Sequence, residues 1–387
     1  MDEEKKRNPF LRLLAFLITF ALVLGAIFLV ANWQKLNFDS IRRYFTYRSL
    51  ERNESGQVES FFYGGSTSNS FTQLGDDLLI CSSSWIRLYS ASGTIYVDEV
   101  CSLTNPVLTT GGSSALIYDA GGNDLFVYRD RTQAFSFTSQ EGHSILAASL
   151  NAQGLLTVVT QASGLKGAVT VYDDSFQPVF GINLSSRFVT DAILSPDGKT
   201  LALVTVGQAN GIFDSQIAFY QLDRSRDDTE PDAVCSLGNN AVLQLNWDSE
   251  PLRVLGENTL ALVNTDGSLA GSYFYDWRYL KGFTLNGDGY CSLLLGKYRA
   301  GTSADLVSVD LSGQEIASLP MEEQVLSMSS AGRYLSVLTS DSLTIYTGEL
   351  ESYHSVSELQ GARKVLQRPD GSVTLISNEA ARLYLPD

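Results

Sequence analysis

The sequence predicts an all-β chain, a β-propeller of eight four-stranded blades behind an N-terminal membrane anchor. Three observations predict it. Beyond residue 57, short runs rich in Val, Ile, Leu, Tyr and Thr alternate with turn clusters of Gly, Asp, Asn and Ser. These runs recur about every 40 residues, the length of one propeller blade. The 387 residues are 44% hydrophobic and 18% charged, too apolar and aromatic for a disordered chain and enough to bury a large core. A single four-stranded unit leaves both of its faces bare, so neighbouring units must cover it.

At the N-terminus, residues 13–31 (LLAFLITFALVLGAIFLVA) carry no charge, and Thr19 is their only polar member. As a helix this run would be about 28 Å long, close to the hydrocarbon thickness of a bilayer. Trp33 follows it, where an amphipathic ring suits the interface. The run is longer than the apolar part of a cleaved signal peptide, and no A-x-A-like site follows it, which favours an uncleaved single-pass anchor. Lys5, Lys6, Arg7 and Arg12 crowd the short tail ahead of the run, whereas most basic residues on its other side lie well beyond it. The expected topology therefore puts residues 1–12 in the cytoplasm and the rest of the chain outside.

Residues 32–56 form the expected juxtamembrane stalk. Within it LNFDSIRRYFTYRSLER reads as a short helix capped by Asp39 or Ser40, with Ile41, Tyr44 and Phe45 on one face. Such a helix either packs under the domain or lies on anionic head groups through Arg42 and Arg43.

Residues 57–387 hold the repeats. The clearest unit, residues 188–237, runs as the strand VTDAIL, the turn SPDGK, and the strands TLALVTV, SQIAFYQL and AVCSL. Its first turn recurs at 151–154, 286–289, 330–333 and 368–371. Its third strand, ending in a tyrosine, recurs as IRLY, LFVY, VTVY, LTIY and ARLY. Units begin near residues 70, 106, 144, 188, 241, 280, 324 and 362. Seven blades is the alternative, because the first two units are the least regular. The last unit offers only three strands, and the leftover run VESFFY at 58–63 would complete it and close the ring.

The SPDGK and RPDG turns, each followed by an apolar strand, resemble WD40-like and TolB-like propeller repeats. The basic tail, single apolar run, stalk and YGGSTSNSF lead-in at 63–71 resemble an uncharacterised family of membrane-anchored propeller proteins of Gram-positive, clostridia-type bacteria. That resemblance implies an extracytoplasmic propeller and assigns it no chemistry. The Gly-His and Trp-Asp pairs of WD40 blades do not recur; Gly142-His143 and Trp247-Asp248 occur once each, and Trp247-Asp248 is out of place.

The residues exclude more chemistry than they suggest. A net charge of −16, and −20 from Asn53 onward, argues against a nucleic-acid-binding body. No phosphate loop, dinucleotide fingerprint, nucleophile elbow or H-E-x-x-H is present. His143 and His354 are the only histidines, and Asn286-Gly-Asp288-Gly lacks the remaining ligands of a calcium loop. Cys81, Cys101, Cys235 and Cys291 show no C-x-x-C spacing; buried thiols are the expected state, with a Cys81–Cys101 bridge the alternative. Neither a cofactor nor a metal nor a catalytic residue is predicted.

The expected function is an anchored, extracytoplasmic binding or scaffolding module for a protein, peptide or glycan, not an enzyme. A hydrolase on a propeller scaffold and a cell-envelope assembly factor are the alternatives. In a four-stranded blade the connections between strands two and three share one face with the connections between blades. Three connections on that face are long, at residues 161–167, 207–215 and 296–304. They carry Gln208, Asn210, Phe213 and Asp214 in one blade, and Lys297, Tyr298 and Arg299 two blades on. Phe213, Asp214, Lys297, Tyr298 and Arg299 are thus the candidate binding residues, with Tyr298 and Arg299 as anchors for a partner or acidic glycan.

Overall fold

The computed structural model describes residues 14, 16–20, 22–24, 38–64, 69–224, 228–357, 359 and 361–386. The chain divides into two compact units, residues 1–49 and 50–387. Most of the expected anchor at 13–31 lies outside the described residues; those that are described there are helical. Among the described residues no helix is long and apolar enough to cross a membrane.

The expected stalk helix is α1, Phe38–Tyr47. Asp39 sits inside its first turn, where a carboxylate complements the helix dipole, so neither Asp39 nor Ser40 stands ahead of it as the cap. Ile41, Tyr44 and Phe45 are all exposed, and the last two rings meet edge to face at 5.6 Å.

The second unit consists of eight antiparallel sheets of four strands, which settles the blade count at eight rather than seven. The first strands begin at Ser70, Pro106, Ile145, Phe188, Val242, Tyr279, Ser327 and Lys364, within a few residues of the predicted starts. First strands of successive blades, such as those of the third and fourth or of the sixth and seventh, lie against one another on the inner side of the ring. Second strands such as Ser114–Asp119, Tyr290–Gly296 and Tyr334–Leu338 are buried along their whole length. Fourth strands such as Glu315–Met321 alternate, because only one of their edges is paired and their tips meet water.

An apolar cluster fills each of the eight junctions between neighbouring blades. Some approaches are closer than any side chain allows. A Cβ on Gly271 would stand 1.9 Å from the Ser312 carbonyl oxygen of the next blade.

The eighth blade joins the two ends of the domain. Strand β1 (Phe61–Phe62) pairs with β32 (Ala380–Tyr384), which follows β30 (Lys364–Gln367) and β31 (Val373–Ile376). The regular strand is shorter than the predicted 58–63. Pairing nonetheless continues on both sides, through Tyr63 N–H to Glu379 O at 3.0 Å and Val58 N–H to Leu383 O at 2.9 Å. Tyr63 donates its hydroxyl to Ser377 O at 2.6 Å and packs with Leu78, Ile80 and Tyr89 of the first blade.

Deleting residues 372–387 should open the ring, leaving the domain aggregated or without a cooperative thermal transition. Tyr63→Ala, which leaves the chain intact, should cost about 3 kcal/mol or more in urea unfolding. Full thermal stability in both variants would contradict closure through the eighth blade.

Candidate functional site

The two faces of the disc are built from different connections. On one face the turns are tight and clamped by their own side chains. Asn151 Oδ1 accepts the N–H groups of Gln153 and Leu155 at 3.0 Å, and Asp310 Oδ1 those of Ser312 and Gln314 at 2.8 and 2.9 Å. The chain also enters the ring here, where Leu385 N–H reaches Gly56 O at 2.9 Å.

The opposite face carries all the candidate binding residues. Residues 207–215, read from sequence as a long loop, are instead the end of a hairpin. Strands β15 (Thr200–Ala209) and β16 (Ile212–Gln221) stay paired out to Ala209 and Ile212. Asn210 and Gly211 form the turn, with φ of 54° and 78°, the signature of a two-residue hairpin connection. Ile212 and Phe213 are exposed near its tip.

Asp214 points the other way. It is 6% exposed, pairs with Arg187 at 3.0 Å and accepts the Gln216 side-chain amide at 2.9 Å. Arg187 also donates to Asp214 O at 2.7 Å and to Thr205 Oγ1 at 3.1 Å. This cluster fixes the hairpin to its blade and leaves the Asp214 carboxylate little to offer a ligand.

Two blades on, residues 297–303 connect β23 (Tyr290–Gly296) to β24 (Ala304–Asp310). Tyr298 is exposed with the Lys297 ammonium 5.6 Å from its ring, and Arg299 is exposed beside it. Lys281 braces the loop by donating to the Gly301 carbonyl.

Between these sites lies a residue that sequence reasoning passed over. The turn between β21 (Leu269–Phe274) and β22 (Tyr279–Gly287) presents Trp277 with 99% of its surface exposed. Asp276 and Trp277 both occupy the left-handed region, at φ of 50° and 65°, unfavourable for residues with side chains. Their neighbours hold them there. Tyr275 is buried and donates its hydroxyl to Gly256 O at 3.0 Å, and burial pushes that hydroxyl's pKa up. Arg278 donates backbone and side-chain N–H groups to Tyr275 O, both at 3.0 Å, and another to the Tyr273 hydroxyl at 2.9 Å. Phe274 and Tyr279 flank the turn and are exposed. The available signal was Asp-Trp-Arg in a connection between blades, where an indole has no blade to dock.

The cysteines are free thiols, and Cys81 and Cys101 both face Ser82 O. Burial and the neighbouring Cys101 push the Cys81 thiol up to about 12, far from nucleophilic. His354 meets the Tyr384 hydroxyl at 3.2 Å. Among the described residues no group of three or more His, Cys, Asp or Glu could hold a metal ion.

The fold is shared with solved propellers of distant sequence. The C-terminal WD40 domain of Sif2 superposes with a TM-score of 0.59 at 13% identity, covering 86% of this chain and 99% of that one. BamB from Moraxella catarrhalis gives 0.51 at 14% identity, covering 85% and 97%. No curated protein matches the sequence. Residues 43–351 match the model of a family of unknown function, DUF5711.

If Asp214 holds the hairpin rather than a ligand, Asp214→Ala should destabilise the domain by about 2 kcal/mol, since it strands Arg187 half-buried. Urea unfolding checks this. An unchanged midpoint would return Asp214 to the list of ligand groups.

Proposed function

The chain belongs to the family of unknown function DUF5711, and we propose that its propeller is a membrane-tethered binding module that docks a protein partner on the face bearing Trp277. One observation carries the reading: a fully exposed indole held in a strained backbone by a buried tyrosine and an arginine. Exposing Trp gains nothing in the free protein, and holding its backbone left-handed costs stability. Rigid aromatic side chains presented this way are the usual anchors of protein interfaces. Phe213, Phe274, Tyr279 and Tyr298 extend the apolar surface over three blades, and Lys297 and Arg299 set it apart from a body of net charge −20.

Binding rather than catalysis fits the side chains available. The buried thiol of Cys81 is held protonated, and the Asp214 carboxylate is committed to Arg187. The tether rests on the uncharged run at 13–31, and the outward topology on Lys5, Lys6, Arg7 and Arg12. The aromatic surface favours a protein over a glycan as the partner and keeps the reading of an envelope assembly factor open.

In pull-downs from native membranes, Trp277→Ala should lower partner recovery more than tenfold, as should joint replacement of Phe213, Tyr298 and Arg299 by Ala. Thermal midpoints should stay at the wild-type value. Unchanged recovery from both variants would sink the docking face.

A reporter active only outside the membrane, fused after residue 387, should give signal, and its cytoplasmic counterpart should stay silent. The reverse result would overturn the topology.

A further inference from the structure

Inside the ring, on the side of the clamped turns, lies a cavity of about 520 Å³. That is the size of ordinary small-ligand sites. Its wall comes from the first strands of the second to sixth blades and the turns that follow them. The charges on this wall are of one sign. Asp191 and Asp248 line it, and among the described residues no Lys, Arg or His does. Asp248 is already neutralised, 2.8 Å from Arg253, which is buried behind the wall and also donates to Leu285 O at 2.6 Å.

Asp191 has no such partner. Its carboxylate accepts the Ala192 N–H at 2.8 Å and meets no basic side chain among the described residues. The strand is bulged between Val189 and Asp191, so Thr190 is left unpaired and the residues on either side are re-aimed. Ala192 beyond the bulge is buried between blades, while Asp191 stays open to the cavity. Gln244 and Thr110 also line the wall, and neither side chain bonds to the described residues.

We propose that this cavity binds an organic cation, the ammonium or guanidinium end of a lysine or arginine side chain on a bound peptide, with Asp191 as its counter-ion. Gln244 and Thr110 supply further acceptors for the N–H groups that a guanidinium spreads in a plane. A divalent metal would need several oxygen ligands around it, and one free carboxylate falls short. An anion would find no cation on the wall. The site is separate from the aromatic face and stands or falls without it.

The cavity makes ionisation of Asp191 costly. Desolvation raises its pKa to about 6, and the Ala192 N–H offsets this only in part. Burial and the charge of Asp191 push the Tyr118 hydroxyl up to about 12, and Asp248 is held by Arg253. Glu250, hydrogen-bonded to the buried Trp247 that lines the wall, is the remaining acid nearby, its pKa raised by burial. A bound cation would favour the ionised form of Asp191, so affinity should fall as Asp191 takes up a proton below pH 6.

Calorimetric titration of the full chain with acetylated, amidated Gly-Arg-Gly and Gly-Lys-Gly tests the site, with Gly-norleucine-Gly as the uncharged control. The charged peptides should bind one to one and the control should not. Asp191→Asn should weaken binding at least tenfold. Between pH 7 and pH 5 the wild type should lose about tenfold, following the fraction of Asp191 ionised, and the variant should stay flat. Equal binding of the control, unchanged affinity in Asp191→Asn, or a flat wild-type profile would overturn the proposal. Free n-butylguanidine binding as tightly as the peptides would overturn the assignment to a peptide side chain. A second readout guards against a variant that is merely misfolded. A carboxyl whose folded pKa is raised penalises folding above that pKa and not below the unfolded one. Asp191→Asn should therefore raise the thermal midpoint at pH 7.5 and leave it unchanged near pH 3.5; a lower midpoint at both would show that Asp191 is there for the fold.

Discussion

The whole domain depends on the mutual covering of blade faces. A four-stranded sheet with both faces apolar cannot stay in water, and burial of its side chains stabilises by about 25 cal/mol per Å² only if another sheet covers it. Each junction here has its own apolar cluster, so every blade is buried on two sides by two different neighbours. An open row would leave two bare faces at its ends, and pairing β1 with β32 removes both at once. Nearer the axis, polar contacts fix the register between blades. Ser149 donates to Ala192 O at 2.8 Å, Asn151 to Ser195 O at 3.1 Å and Gln73 to Leu366 O at 3.0 Å. Such contacts are directional where hydrophobic burial is not, and they make one docking angle better than its neighbours.

The turns that end the strands reach one geometry from several sequences. An oxygen at the first turn position, from Asn151, Asp173, Ser90 or Asp310, caps backbone N–H groups two and four residues on. A left-handed residue follows, glycine at 154, 93 and 313. At Phe176 and Leu350 that position is filled by a large side chain instead, with φ near 60°. Phe176 offsets the strain by stacking on Phe135 at 4.5 Å, and Leu350 by burial against the junction of the sixth and seventh blades. At these two positions packing against a neighbour offsets the local conformational cost.

Fold and site differ in how legible they are, for the same reason. The repeat could be read because each blade solves the same covering problem, so strand spacing, the tyrosine of the third strand and the turn residues recur. Even the three-strand last unit pointed to its missing partner. The hairpin at 207–215 was misread as a loop because its strands outrun the blade and turn polar, though Asn210-Gly211 announced the turn. Asp214 looked like a free carboxylate because its partner Arg187 lies in the connection ahead of the first strand, outside any local pattern. Trp277 and Asp191 break no rule of composition. What sets them apart is full exposure at one and the lack of a counter-charge at the other, and both are properties of the assembled ring.

The two faces of the disc therefore offer opposite chemistries on one scaffold. On one side an aromatic surface is held out by strained but braced turns, with lysines and arginines among the rings. On the other, clamped turns rim a cavity whose free charge among the described residues, Asp191, is negative. Both features are carried by residues that cost the fold something: a left-handed Trp277, and an Asp191 that would be easier to bury protonated. Tyr275 and Arg278 hold the first in place, and the Ala192 N–H offsets the second only in part. At Phe176 and Leu350 packing within the chain repays the strain, whereas at Trp277 and Asp191 an interaction supplied from outside would do so.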